Sequence, residues 1–188
     1  MDALDLLTAD HNRVRGLFAR FQSAEESEET AEMTALAEKI VTELTVHTEI
    51  EEQIFYPAVD ANEELHDTVS EGMEEHHVAK VLIEEVAGLS PEDDAWAAKI
   101  KVLIESVEHH ATEEEEEMFP QVRKAFDRAA LEDLGQQLEA LKASLGAPTV
   151  ADKEHLSLEE LKALATEQEI PGRSSMNRDE LVATVAPA

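Results

Sequence analysis

The sequence predicts an all-α protein: an up-down-up-down four-helix bundle with a small helical appendage at its C-terminus. Three observations lead to this prediction. Only seven of the 188 residues are aromatic, and Ala, Leu, Glu and Val dominate, a composition that favours helices over strands. Apolar residues recur at spacings of three and four along four long stretches. The connections between these stretches are short, as is typical of antiparallel neighbours in a bundle.

Four amphipathic helices are predicted within residues 1–145. The first covers about 3–22, the second about 29–60 with a kink or an end at Pro57, and the third about 64–88. The fourth is expected to start with Ser90 as N-cap and Pro91 in the first helical position, and to run to about 144 with a bend at Pro120.

The rest of the chain predicts a linker and a small module. Residues 146–156 interrupt the helical pattern with Gly and Pro, which is typical of a linker. Within 157–188, Ser157 and Asn177 are each followed three residues later by Glu, so each is expected to cap a short helix. An Ile-Pro-Gly turn separates these two helices, and together they are too short to build a large core.

The composition excludes several classes of function. The chain has no Cys, so disulfides, thiolate catalysis, zinc fingers and iron–sulfur clusters are ruled out, and a bound metal needs nitrogen and oxygen ligands. Its formal charge of −29 makes nucleic acid an unlikely partner of the bundle. No stretch has the pattern of a signal peptide or a membrane span, which predicts a soluble cytoplasmic protein.

A repeated motif places His and Glu on the same helix face. The segments HTEIEEQIFYP at 47–57 and HATEEEEEMFP at 110–120 align residue by residue, and each His continues an apolar stripe. The spacing of His47 to Glu51 and of His110 to Glu114 is one helical turn, so each pair is expected to point inward.

The first and third helices repeat as well, because Asp10-His11 matches Glu75-His76 and similar apolar residues follow both. Each of the four helices therefore contributes a His to the interior. Four imidazoles and two carboxylates buried without partners would cost several kcal/mol for each ionised group. Two cations would remove that cost, and a nitrogen-rich donor set suits iron better than magnesium or calcium.

These motifs resemble the hemerythrin-like, HHE cation-binding family over about residues 1–145. The resemblance implies an oxo- or hydroxo-bridged pair of iron ions that binds or reacts with dioxygen, hydrogen peroxide or nitric oxide. The ligands that it implies are His11, His47, Glu51, His76 or His77, His110 and Glu114. The match of His76 with His11, and its phase with Met73 and Val86, favour His76 over His77.

The chain departs from the oxygen-carrying hemerythrins on the third helix. Those proteins have His-x-x-x-His there, whereas Gly72 and Met73 stand four residues before His76 and His77. The site is thus expected to be one imidazole short, with an open or water-filled position that favours peroxide or nitric oxide chemistry over reversible oxygen carriage.

Other polar residues are given supporting roles or none. Glu52 is expected to hydrogen-bond to a ligand His. Tyr56 is interpreted as a packing residue, with a phenol that takes part in catalysis as the alternative. His109 is expected at the surface or behind a ligand. A solvent-facing position is predicted for His66, His155, Glu113, Glu115, Glu116 and Glu117.

The C-terminal module resembles Rho N-terminal and SAP-like segments in LKALA, IPGRSSM and RDEL. Relatives of this type often contact nucleic acid, and Arg173 and Arg178 are candidates for phosphate contacts. The segment from 148 onward has four bases against eight acids, so docking to protein is an equal alternative. Two further interpretations stay open: a sensor of oxygen, nitric oxide or iron without turnover, and an interaction protein that acts through this module.

Overall fold

The computed structural model describes residues 1–147, 153 and 156–186, and the regular elements in these ranges are all helical. The predicted all-helical bundle is confirmed. The helices of the bundle are α1 Ala3–Glu26, α2 Thr30–Ile50, α3 Tyr56–Asp60, α4 His66–Ala87, α5 Asp94–Glu113, α6 Phe119–Ala125 and α7 Arg128–Ser144. A 3₁₀ turn at Glu63–Leu65 leads into α4.

Two five-residue π-helical segments, Glu51–Phe55 and Glu114–Met118, join α2 to α3 and α5 to α6. In each, the backbone N–H five residues after the Glu donates to the carbonyl of that Glu. Pro57 and Pro120 lie just beyond these segments. Proline has no N–H to donate, and a widened turn at this point accommodates its ring within a continuing helix. The chain therefore stays helical through both prolines.

The predicted fourth helix differs from the structure at its start and at residue 126, while its predicted end near 144 agrees with the end of α7. A turn closed by Asp93 N–H and the Ser90 carbonyl, 2.9 Å apart, comes first, so the helix starts after Asp93 and Ser90 is not its N-cap. Within the predicted helix Phe126 has an extended backbone, with φ −109° and ψ 139°, and ends α6. Asp127 then caps the separate helix α7 by accepting a hydrogen bond from Ala130 N–H. The predicted single helix to 144 is thus two helices with a corner between them.

The bundle has two apolar clusters with a polar layer between them. α1 packs on α2 and α4 packs on α5, while α7 lies across α1 and the Glu51–Phe55 segment. One cluster draws on residues 3–7, 50–69 and 118–138, and the other on residues 14–44 and 79–104. The four inward histidines fall between these ranges on every helix. They therefore form a layer that is covered by hydrocarbon above and below.

The C-terminal module contains α8 Leu158–Glu167 and α9 Arg178–Thr184, each with the predicted capping box. α9 packs against α1, where Arg13 donates to the Ala183 carbonyl over 3.1 Å. The buried side chain of Lys153 donates to the carbonyls of Ala183 and Val185. The module thus has its own small core and also a polar contact with the bundle. Most of the predicted linker, residues 148–152, 154 and His155, lies outside the described residues.

Candidate metal centre

Four imidazoles meet in the polar layer, one from each long helix. His11 on α1, His47 on α2, His76 on α4 and His110 on α5 are all at most 6% exposed. His77, the alternative to His76, is exposed. The hydrocarbon stripes on both sides fix this arrangement, because rotating a helix by one residue would expose its apolar face. Met73 is an exception: the apolar pattern placed it on the buried stripe, but it is 41% exposed.

The layer consists of two similar halves. The Nε2 atoms of His11 and His47 are 3.1 Å apart, and those of His76 and His110 are 3.0 Å apart. Glu51 Oε2 lies 3.2 Å from both His47 Nε2 and His76 Nε2, so it stands between the halves. Glu114 Oε2 lies 3.3 Å from His11 Nε2 and 3.8 Å from His110 Nε2.

Donor atoms of these residues form two overlapping groups in which all atoms lie within 4.8 Å of one another. One group contains His11, His47, Glu51 and Glu114, and the other contains Glu51, His76 and His110. Each group has two imidazoles, and Glu51 is common to both.

A ring of carboxylates orients the imidazoles from outside. Glu115 lies 2.8 Å from His11 Nδ1, Glu52 lies 3.1 Å from His76 Nδ1, and Glu75 lies 2.7 Å from His110 Nδ1. Asp10 lies 3.8 Å from His47 Nδ1, beyond hydrogen-bond distance, and this nitrogen has no hydrogen-bond partner. In the other three histidines a carboxylate at Nδ1 holds the proton there, so that the Nε2 lone pair of a neutral ring points into the layer.

These contacts repeat between the two halves of the chain. The Glu after each inward Glu supports the His of the facing helix: Glu115 contacts His11 and Glu52 contacts His76. In each half, a second acid lies near the remaining ring. Asp10, which precedes His11, is near His47, and Glu75, which precedes His76, is near His110. The internal repeat of the sequence therefore extends to the outer carboxylates.

The donor set fits cations. Facing Nε2 lone pairs at about 3 Å repel each other unless a positive charge lies between them. Both carboxylate oxygens of Glu51 and the Oε2 atom of Glu114 are buried without a hydrogen-bond partner. A buried carboxylate without partners costs several kcal/mol, which a metal ion between these atoms would offset.

In the metal-free protein, protons supply part of the positive charge that a metal ion would bring to these donors. Burial alone would lower the pKa of His11, but hydrogen bonds and charges from Glu114 and Glu115 outweigh it and raise the pKa to about 9. Burial and the neighbouring His110 hold the pKa of His76 well below its usual range. Burial and the charge of Glu114 raise the pKa of Glu51 well above its usual range. Metal binding therefore has to displace a proton from His11.

Tyr56 is part of the layer and not only of the core. Its hydroxyl group donates to Glu114 Oε1 over 2.9 Å and lies 3.4 Å from His76 Nε2. It sits against Gly72, where a Cβ atom would come within 2.8 Å of the hydroxyl oxygen. A phenol thus fills the space beside Gly72 on α4.

Sequence reasoning missed part of this site. Glu115 was expected to face solvent, but it bonds to His11 and to Arg15, with Arg15 Nη1 2.8 Å away. Glu75 and Asp10 were noticed as a repeat without a role. Their signal was present, because each immediately precedes an inward His in the repeated pair. Glu52 was correctly expected to support a histidine, while Glu116 and Glu117 are exposed as expected.

A cavity of about 20 Å³ opens on the layer from the side of the second apolar cluster. It is lined by all four inward histidines and by Val14, Phe18, Leu44, Ala79 and Val107. A volume of this size holds about one water-sized molecule. The lining also includes Arg15, Thr48, Glu75, Ser106 and Glu108, but the surface that faces the cavity is chiefly hydrocarbon, so the cavity suits a small, weakly hydrated molecule.

Comparison with known proteins identifies the family. The sequence model of the hemerythrin HHE cation-binding domain family matches residues 2–122, which include all the inward His and Glu residues. The chain belongs to this family. As an HHE protein with clustered His and Glu donors it is a metal-binding protein. Among its described residues, no helix has both the length and the apolar character needed to cross a membrane.

Two known proteins are similar to this HHE protein, one in structure and one in sequence. A hemerythrin HHE cation-binding domain-containing protein of Mycobacterium kansasii has a similar crystal structure, with a TM-score of 0.65 and 22% identity over 98% of this chain and 99% of that one. This likeness concerns the fold. A DNA nickase of Nostoc sp. is 27% identical over 151 residues, which are 77% of this chain and 40% of the nickase. The chain thus spans less than half the length of that relative.

Proposed function

We propose that this HHE protein is a non-haem di-iron protein that binds and reacts with hydrogen peroxide, dioxygen or nitric oxide. The observation that carries the proposal is the position of Glu51, a buried carboxylate that belongs to two donor groups with two imidazoles each. A carboxylate shared in this way favours two cations side by side. A mixture of imidazole and carboxylate ligands suits iron.

In this proposal His11 and His47 would hold one ion and His76 and His110 the other, and the carboxylates of Glu51 and Glu114 would supply oxygen ligands. When bound, an iron pair supplies Lewis acidity and a store of two electrons. The outer carboxylates keep a proton on Nδ1 of His11, His76 and His110, so that Nε2 stays available inside the layer.

The small cavity supports small molecules as the substrates. Its volume of about 20 Å³ admits a diatomic molecule or a peroxide beside the histidines and excludes larger substrates. Phe18 lines it, and Phe119 stacks against the His11 ring with centroids 6.1 Å apart. These aromatic side chains keep bulk water from the layer.

Tyr56 is the residue that we assign to the chemistry apart from the metal ligands. Burial and the charges of Glu114 and Glu51 raise the pKa of its phenol well above the usual range. The hydroxyl group therefore keeps its proton at neutral pH and can donate a hydrogen bond inside the layer. Tyr56→Phe should preserve metal content and change the rate of reaction.

Metal analysis and rapid mixing test the proposal. Protein produced with iron available should contain two irons per chain, and its spectrum should change when peroxide, oxygen or nitric oxide is added. The zinc-loaded protein is the matched control, since it keeps the fold without the redox couple. One tightly held zinc in place of two irons would contradict a di-iron site. Uptake of gas without consumption would favour the sensor over the enzyme.

The similarity to a DNA nickase raises DNA as a second candidate ligand. The formal charge of −29 opposes it, and Arg173 donates to the Ile170 carbonyl within the module. A shift of duplex DNA at physiological salt, or metal-dependent nicking of a supercoiled plasmid, would support this function. If repulsion between the negatively charged chain and the DNA phosphates dominates, neither effect is expected.

A further inference from the structure

A second set of metal donors lies at the surface beside the buried layer. Glu75 on α4 and His109 and Glu113 on α5 bring three donor atoms within 4.8 Å of one another. His109 Nε2 is 3.1 Å from Glu113 Oε1 and 3.8 Å from Glu75 Oε1. The His109 side chain is 67% exposed, and those of Glu113 and Glu75 are 35% and 21% exposed.

Three features distinguish this group from an ordinary surface ion pair. His109 and Glu113 share one helix face at i and i+4, so one helical turn presents both donors. Glu75 adds a donor from the facing helix. Its position is fixed, because its other oxygen, Oε2, accepts from His110 Nδ1 over 2.7 Å. By contrast, the surface pair of His66 and Asp60 is closer, at 2.7 Å, but among the residues that the structure describes it belongs to no group of three donors.

One imidazole and two carboxylates with an open, solvent-facing side suit a divalent first-row cation that keeps some of its water. The strongly negative charge of the chain raises the local concentration of cations at such a site. Lys99 and Lys101, at the start of α5, pair with Glu85 and Glu25 and lie two turns or more from His109 along the helix.

Glu75 connects this surface group with the interior. One of its oxygens faces His109 and the other holds His110, an imidazole of the buried layer. Glu75 also lines the cavity that opens on the four histidines. A cation at the surface group is therefore one carboxylate away from the donors inside.

We propose that Glu75, His109 and Glu113 form a third site, which binds a divalent first-row cation at the surface and passes it to the buried donors. The passing step rests on the proposed function, since it requires the buried layer to hold metal. Binding at the surface does not depend on it.

A titration of the metal-free protein with Co²⁺, followed by calorimetry and visible absorption, tests the site. Two equivalents should bind tightly and a third more weakly. His109→Ala and Glu113→Gln should each weaken the third equivalent by at least about 10-fold while leaving the other two in place. His66→Ala, which removes a surface histidine of a two-donor pair, should change nothing. A third equivalent that survives in both variants would overturn the site.

The rate of iron loading tests the passing step. Ferrous iron is mixed with metal-free protein, and iron accessible to a chelator is measured over time. His109→Ala should slow incorporation by roughly fivefold or more and leave the final iron content equal to that of His66→Ala. Equal rates would overturn the role in loading. If the buried layer held no metal, the Co²⁺ titration would show a single equivalent that His109→Ala removes, so failure of the proposed function is distinguishable.

Discussion

The missing side chain of Gly72 makes room for the hydroxyl group of Tyr56: a Cβ atom at position 72 would lie 2.8 Å from that oxygen and 3.2 Å from Cζ. Tyr56 is 1% exposed and is held among Phe55, His76 and Glu114, so its ring has little space to retreat. A glycine on α4 thereby determines where a phenol on α3 meets the metal layer.

Gly72→Ala should displace this phenol. We expect a loss of stability of about 1–3 kcal/mol from overpacking and an altered spectrum of the iron-loaded protein, because the hydrogen bond from Tyr56 to Glu114 is lost. Thermal unfolding and visible absorption measure both effects. Gly88→Ala is the control, since its Cβ would meet nothing closer than 3.5 Å. The double variant Gly72→Ala/Tyr56→Phe should recover stability, and no recovery would contradict the steric explanation.

Glu51→Gln and Glu114→Gln should each lose metal from both halves of the layer, because both carboxylates stand between the two pairs of histidines. Glu115→Ala should keep the metal but bind it about 10–100-fold more weakly, since only the support of His11 is removed. Metal content after dialysis against a graded series of chelator concentrations separates these results. Glu116→Ala, at an exposed position, serves as the control. Full metal content in Glu51→Gln would exclude a shared carboxylate.

Gly16→Ala should detach the C-terminal module from α1. A Cβ atom at position 16 would lie 2.5 Å from the backbone oxygen of Gln168, which cannot move without shifting the end of α8. We expect faster proteolysis within 148–186 and unchanged metal content, because the module supplies none of the inward ligands. Deletion of 148–188 should likewise leave metal content unchanged. Loss of metal in either variant would show that the module supports the site.

The stability of the protein should rise between about pH 7 and pH 10 because of Lys153. Burial, together with Arg13 and Lys142, lowers the pKa of this ammonium group to about 7, while Asp10 and Glu139 act in the opposite direction. The unfolded chain then holds more protons than the folded chain from pH 7 to the usual lysine pKa, so stability increases with pH in this window. The slope is at most about 1.4 kcal/mol per pH unit.

Chemical denaturation of the metal-free protein at several pH values measures this slope. Lys153→Met keeps the hydrocarbon and removes the titrating group, so the difference between the two proteins isolates the contribution of Lys153 from other charges. Identical pH profiles of the two proteins would contradict a buried, partly neutral lysine.

The sequence predicted the inward histidines because their signal is periodic. The repeat of His and Glu at one helical turn, in phase with apolar residues, places the donors in one layer and separates His76 from His77 by a full 100° of rotation. The family of the chain follows from the same repeat.

Local and nonperiodic features were harder to predict. Ser90 has the residue type of an N-cap, but a separate turn from Ser90 to Asp93 comes first and the helix starts one turn later. The corner at Phe126 has no Gly or Pro to mark it, and only the capping aspartate that follows gives a signal. Glu115 looked like one acid in a row of five, since its partners His11 and Arg15 lie on another helix.

The two π-helical segments act like single-residue insertions in an otherwise regular helix. Each holds one residue more than an α-turn would, so everything after it is rotated by about 100° relative to an uninterrupted helix. Val59 and Val122, eight residues after Glu51 and Glu114, face the core because of this rotation. Removing one residue from either segment would restore an α-helix and keep Val59 or Val122 facing the core, because the deletion cancels the extra residue. A regular α-helix that retained the extra residue would instead turn Val59 or Val122 away from the core. Each half of the metal layer thus lies beside a helical turn that accommodates one residue more than a regular α-turn.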